Sequence, residues 1–135
     1  MLTFDATSRE TCTAKRELTT TPLQALVLLN DPQYVEASRV LAQQLVSRHA
    51  TDLVARWTEL FRRLVSRPPT EKELQVVSQL YEEQLTYFQS DEAATAEFLQ
   101  VGETRALAEI SRSDLAATSI VVDAMLSFDE TQMKR

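Results

Sequence analysis

Apolar positions recur along this chain with the spacing of helices, and the gaps between runs carry capping residues and prolines. Leu53, Trp57, Leu60, Phe61 and Leu64 fall on one helical face, which predicts a helix over residues 52–66 capped by Thr51. Arg67-Pro68-Pro69 stops it, because a residue before proline is pushed out of the helical region. Thr70-Glu71-Lys72-Glu73 is a full capping box. It opens a helix to about residue 88 that buries Leu74, Val77, Leu80, Tyr81, Leu85 and Phe88. Upstream, Thr21-Pro22-Leu23-Gln24 has the same start grammar, and residues 22–29 are apolar nearly all round, so this short helix should be buried. Asn30-Asp31-Pro32 ends it and caps the next, which runs to about residue 48 with Tyr34, Ala37, Leu41 and Leu45 as its stripe.

Further on, Ser90 or Asp91 caps a helix to about residue 100, with Gly102 placed to close it. Residues 103–112 hold at most one further turn. Ser113-Asp114 then opens a last helix to about residue 127. Leu115, Ile120, Val121, Val122, Met125 and Leu126 surround it, which predicts a central position packed by the hairpin of the helices 52–66 and 70–88. Strand signals are weak. The fold class is therefore all-α: a compact bundle or array of five to six helices with an extended N-terminal arm. Residues 1–20 form the arm, 21–128 a single helical domain and 129–135 a tail.

Composition removes chemistries rather than supplying one. In 135 residues there are one Gly, one Cys and one His, namely Gly102, Cys12 and His49. A glycine-rich phosphate cradle needs at least two glycines, and a Cys/His zinc site takes four such ligands. Covalent haem attachment takes two cysteines and a histidine. No cofactor and no metal is predicted. The longest purely apolar run, residues 25–29, is far short of the ~20 residues of a membrane span. The N-terminus lacks the basic and apolar regions of a signal peptide, so the chain by itself reads as soluble and cytoplasmic; as a piece of a larger protein it would instead be periplasmic or exported.

The net charge of −6 is uneven. Residues 1–67 hold nine Lys/Arg and seven Asp/Glu, and residues 68–135 hold five and thirteen. Such a balance speaks against nucleic-acid binding. It leaves open a solvated acidic face or a dock for a basic partner. Arg56, Arg63 and Arg67 share one helical stripe and read as ion-paired surface. Cys12 has Arg9, Lys15 and Arg16 near it in sequence, but a lone packed thiol explains it as well as a nucleophile does. His49 at a helix end suits the helix dipole. Adjacent acids such as Glu82 and Glu83 point about 100° apart on a helix and do not form a catalytic pair.

Several strings together resemble one family. Phe4-Asp5, Arg9-Glu10-Thr11-Cys12 and Arg16 lead into Thr19-Thr20-Thr21-Pro22-Leu23-Gln24-Ala25-Leu26-Val27-Leu28-Leu29-Asn30-Asp31-Pro32-Gln33. Arg67-Pro68-Pro69-Thr70, Val101-Gly102-Glu103 and Leu126-Ser127-Phe128-Asp129-Glu130 follow in order. In this the chain resembles the C-terminal part of the planctomycete family catalogued as domain of unknown function 1553. Thr20 departs from the family's Asn, and Ser127-Phe128 from its Asn-Leu. The resemblance implies a piece of a large exported chain that carries a cytochrome-c-like domain upstream. It brings no established catalytic residues. Arg9, Glu10, Cys12, Arg16, Thr21, Gln24, Asn30 and Asp31 are the matching polar positions and the candidate functional residues. Two functions follow as expectations. One is a non-catalytic structural or protein-interaction module whose partner is another protein, the upstream domain or a second copy. The other is part of an enzyme acting on carbohydrate or sulfated polymer, with its site completed upstream.

Overall fold

The computed structural model describes residues 32–101 and 110–128. They form five helices: α1 (Pro32–Arg48), α2 (Leu53–Leu64), α3 (Glu71–Ser90), α4 (Glu92–Gln100) and α5 (Arg112–Leu126). No strand occurs among the described residues. The all-α reading holds, and no described helix is long and apolar enough to cross a membrane.

Helix α5 is the axis of the assembly. Its whole middle, from Leu115 to Ser119 and on to Val121 and Val122, is buried. Small residues there, Ala116, Ala117 and Ser119, let neighbouring helices approach closely. The sequence places the 52–66 and 70–88 hairpin around this helix, but α5 packs chiefly along α1 and α3, with α2 and α4 contributing less. Helix α1 runs antiparallel to α5. Near its start, Ser38 Oγ lies 3.1 Å from Asp123 Oδ1 late in α5. Just past its end, the His49 carbonyl meets the side chain of Arg56, which also reaches Asp114 in the first turn of α5. Trp57, Leu60 and Phe61 of α2 and Val77, Tyr81 and Phe88 of α3 complete the core. Each such side chain contributes roughly 1.5–3 kcal/mol by leaving water.

Three helix boundaries differ from expectation. Asp52, not Thr51, caps α2, and its carboxylate accepts from the Ala55 N–H at 2.9 Å. Helix α2 then stops at Leu64, and Ser66 takes a left-handed φ of 63° before the prolines. Helix α5 begins at Arg112 after Ser111, because Asp114 is engaged elsewhere and does not cap. The Thr70–Glu73 capping box is present in full, and Asp91 caps α4. The stripe expected on the first described helix is displaced. Tyr34 and Ala37 are exposed, while Ser38, Arg39, Ala42, Leu45 and Val46 are buried. The cause is polar pairing across the bundle. Arg39 donates to the Leu99 and Val101 carbonyls at the end of α4, groups that a helix end leaves without partners. The terminating role of Gly102 and the helix over residues 22–29 lie outside the described residues.

Candidate functional site

All eight residues singled out from the sequence, Arg9, Glu10, Cys12, Arg16, Thr21, Gln24, Asn30 and Asp31, lie outside the described residues. Within them, chemistry concentrates in two places: a buried polar centre and an open apolar groove.

The polar centre is built on Arg56. Its side chain is fully buried, and it forks onto Asp114 with Nη1 to Oδ1 at 2.7 Å and Nη2 to Oδ2 at 3.3 Å. Its remaining donors go to Thr118 Oγ1, at 3.1 Å, and to the His49 and Ala50 carbonyls that close α1. Tyr81 Oη donates to Asp114 Oδ1 at 2.8 Å. The guanidinium sits 5.9 Å from the Trp57 ring centre and 5.8 Å from that of Tyr81, within cation–π range. Burial, then the hydrogen bond and charge of Asp114, push the Tyr81 phenol up to about 12. Four helical or interhelical segments meet at this one cation. It is a cross-brace, with every donor committed to protein.

The other charged clusters are also structural in shape. Glu59 takes Arg48 at 2.9 Å, His49 Nε2 at 2.6 Å and Arg63. Partial burial raises its carboxyl, but the hydrogen bonds from His49 and Arg63 and the charges of Arg63 and Arg48 prevail and hold it below the usual range. Arg67 forks onto Glu73, and this contact, with the Thr70 hydrogen bonds, lowers Glu73 to about 2. Arg56, Arg63 and Arg67 are thus all ion-paired, but they do not share one helical stripe, since α2 ends at Leu64 before Arg67. Arg56, however, belongs to the interior and not to the surface. Asp123 goes the other way: burial raises its carboxyl, and the Ser38 hydroxyl only partly offsets this. Glu82 and Glu83 are exposed, and Glu83 accepts from Gln79 one turn away. No group of three metal-ligating side chains occurs among the described residues.

The groove runs between α3 and α5 and encloses about 300 Å³. Val76, Val77 and Leu80 form one wall, and Val121, Ala124 and Met125 the other. Phe61 of α2 and Phe128 also line it. The walls are apolar because the two helices present i, i+4 ridges, Val76 with Leu80 and Val121 with Met125, and Phe128 follows just past the end of α5. Lys72 and Glu73 mark its polar edge. Val76 is 67% exposed and Phe128 41%, large values for apolar side chains. Sequence reasoning did not single out this groove. Its one signal was that Val76 is apolar yet lies off the buried stripe of α3.

A family model described as "PSD1: Protein of unknown function (DUF1553)" matches residues 1–81, more than half of the chain. The chain belongs to this family. The match takes in all eight candidate polar positions, α1, α2 and α3 as far as Tyr81. The similar strings at residues 101–103 and 126–130 lie beyond it, as does the α5 wall of the groove. Comparison with curated proteins and with solved structures gave no match.

Proposed function

We propose that this chain is a non-catalytic structural and protein-interaction module, and that the α3–α5 groove is the seat for an apolar segment. One observation carries the reading: an apolar groove with exposed Val76 and Phe128 stands on a bundle whose interior cations are committed to bracing helices. An enzyme site needs polar groups held ready for a substrate, whereas Arg56 has its donors filled by the fold. A groove between helices lined by apolar ridges suits an apolar helix face. The setting we propose, an exported redox-associated multidomain protein, is supported by the family resemblance of the sequence.

The test uses thiol labelling in a Cys12→Ser background. Val76→Cys in the groove is compared with Val54→Cys on α2, a site of similar exposure at 61%. An occupied seat makes the Val76→Cys chain label about tenfold more slowly, which is about 1.4 kcal/mol of protection. A vacant seat leaves the labelling rates equal, but the chain then enhances the fluorescence of an apolar dye, and Ala124→Arg abolishes the enhancement. Equal labelling with no dye enhancement overturns the proposal.

A further inference from the structure

We infer that the occupant of the α3–α5 groove is a second copy of this chain, whose α3 lies antiparallel to the first across a two-fold axis. The inference rests on the docking reading above and names the partner. Three observations converge on it.

The first is that α3 carries two stripes. Val77, Tyr81 and Phe88 face the core. Lys72, Val76, Leu80, Glu83 and Tyr87 form a second stripe, spaced by four, four, three and four residues. At about 100° per residue they fall within a sector roughly 80° wide. Val76 is 67% exposed and Tyr87 52%, Lys72 and Glu83 are exposed, and Leu80 is partly buried. A helix with a second apolar stripe has a face for a second neighbour.

The second is charge. Lys72 has no ion-pair partner among the described residues, and Glu83 meets only the neutral Gln79 there. Lys72 also stands in the first turn of α3, where the helix dipole disfavours a cation. An antiparallel α3 brings it a carboxylate. The order of charges along the stripe, cation first and acid last, is self-complementary in that direction alone. A parallel pair would set Lys72 on Lys72 and Glu83 on Glu83.

The third is register. With Lys72 of one copy facing Glu83 of the other, the two-fold axis passes α3 midway, between Val77 and Ser78. Each charged residue then lies about 8 Å from the axis. The same register sets Val76 beside Gln79 and next to Leu80 of the second copy. Tyr87 lies about 14 Å from the axis and Glu71 about 10 Å. Tyr87 therefore passes the start of the other α3 and reaches the Pro68-Pro69 turn, where Pro68 is exposed. Both ends of the contact match, as an isologous interface demands. Ala124, exposed on the α5 wall, is small enough to let the second α3 settle into the groove.

The experiment is sedimentation equilibrium on the full chain over a concentration series, with Lys72→Glu, Glu83→Lys and an equimolar mixture of the two variants. Both residues are exposed, so the substitutions leave the core intact. The parent should reach twice the 15.3 kDa chain mass. Each single reversal turns two ion pairs per dimer into like-charge pairs and should raise the dissociation constant at least about tenfold, which is 1.4 kcal/mol. In the mixed pair every cation again faces an acid, so the mixture should associate as tightly as the parent. A dimer indifferent to the reversals, or a mixture no tighter than its components, overturns the inference. A monomeric parent whose Val76→Cys thiol is protected, or whose groove binds the dye, overturns it in favour of an external partner and spares the docking reading. A monomeric parent with neither property overturns both.

Discussion

Removing the carboxylate of Asp114 should cost more stability than its place in the first turn of a helix suggests. Asp114 accepts four hydrogen bonds, from Arg56 Nη1 and Nη2, from Tyr81 Oη and from Thr118 Oγ1. Asp114→Ala leaves the Arg56 guanidinium charged, with its side chain wholly buried, and facing a gap. Breaking a buried pair from one side costs about 3–5 kcal/mol. The Asp114 side chain retains 19% exposure, so water can reach part of the gap, and we place the loss near the lower limit, about 3 kcal/mol. At a urea dependence of about 2 kcal/mol per molar, the midpoint falls by about 1.5 M. The companion Arg56→Met removes the cation and strands the His49 and Ala50 carbonyls, and it should cost a similar amount. In Arg56→Met/Asp114→Ala no charge is left unpaired, so the double variant should be at least about 2 kcal/mol more stable than the sum of the singles implies. Urea unfolding followed by helical circular dichroism measures all four corners of the cycle. A single Asp114→Ala loss below about 1 kcal/mol, or additivity within about 0.5 kcal/mol, would refute the cross-brace.

Two pH dependences follow from other polar contacts. Glu73 sits at about 2 in the folded chain against an ordinary 4.5, mainly through Arg67 and the Thr70 backbone, so its stabilisation is complete above about 4.5 and is lost as pH falls toward 2. The shift corresponds to at most about 3.4 kcal/mol; solvent screening of these partly exposed groups reduces this to about 1 kcal/mol. Urea unfolding of Glu73→Gln should therefore differ from the parent by about that amount at neutral pH and converge with it in acid. Tyr81 behaves in the opposite sense. Its phenol is raised from 10.0 to about 12, so the contribution is complete below 10 and is lost as pH climbs through 12. Phenolate absorbance should show a step near 12 that Tyr81→Phe removes, and a step unchanged by that substitution would contradict the assignment.

The helices were legible because their signals are local. A capping box needs only four consecutive residues, and Thr70 to Glu73 form one as read. The stripe of α2 needed only spacing, and Trp57, Leu60 and Phe61 are buried as read. What failed was long-range. Nothing near Ser38 or Arg39 announces burial, since their partners, Asp123 and the carbonyls of Leu99 and Val101, lie about sixty or more residues away. Asp114 looks like a capping residue until Arg56, 58 positions earlier, is brought against it. The groove was invisible for a related reason. It is a property of two helix faces together, and Val76 or Ala124 alone carries no sign of the other.

The same long-range pairs bear on what the chain does. A guanidinium fixed by two carbonyls, a threonine and a forked carboxylate is held too firmly, and is too dry, to meet a substrate without breaking α1, α2 and α5 apart. Arg39 is likewise bound to the end of α4. Such bracing ties α3 to α5, because Tyr81 of α3 donates to Asp114 of α5 within one network. A groove between two helices keeps its shape only if those helices do not slide. The cross-brace joins the middle of α3 to the start of α5, next to the groove residues Val77 and Leu80. Loosening it should loosen the groove: Asp114→Ala, under conditions where it remains folded, should lower the fluorescence enhancement of an apolar dye without any substitution in the groove. An unchanged enhancement would separate the brace from the groove and leave the polar centre as a stabilising element alone.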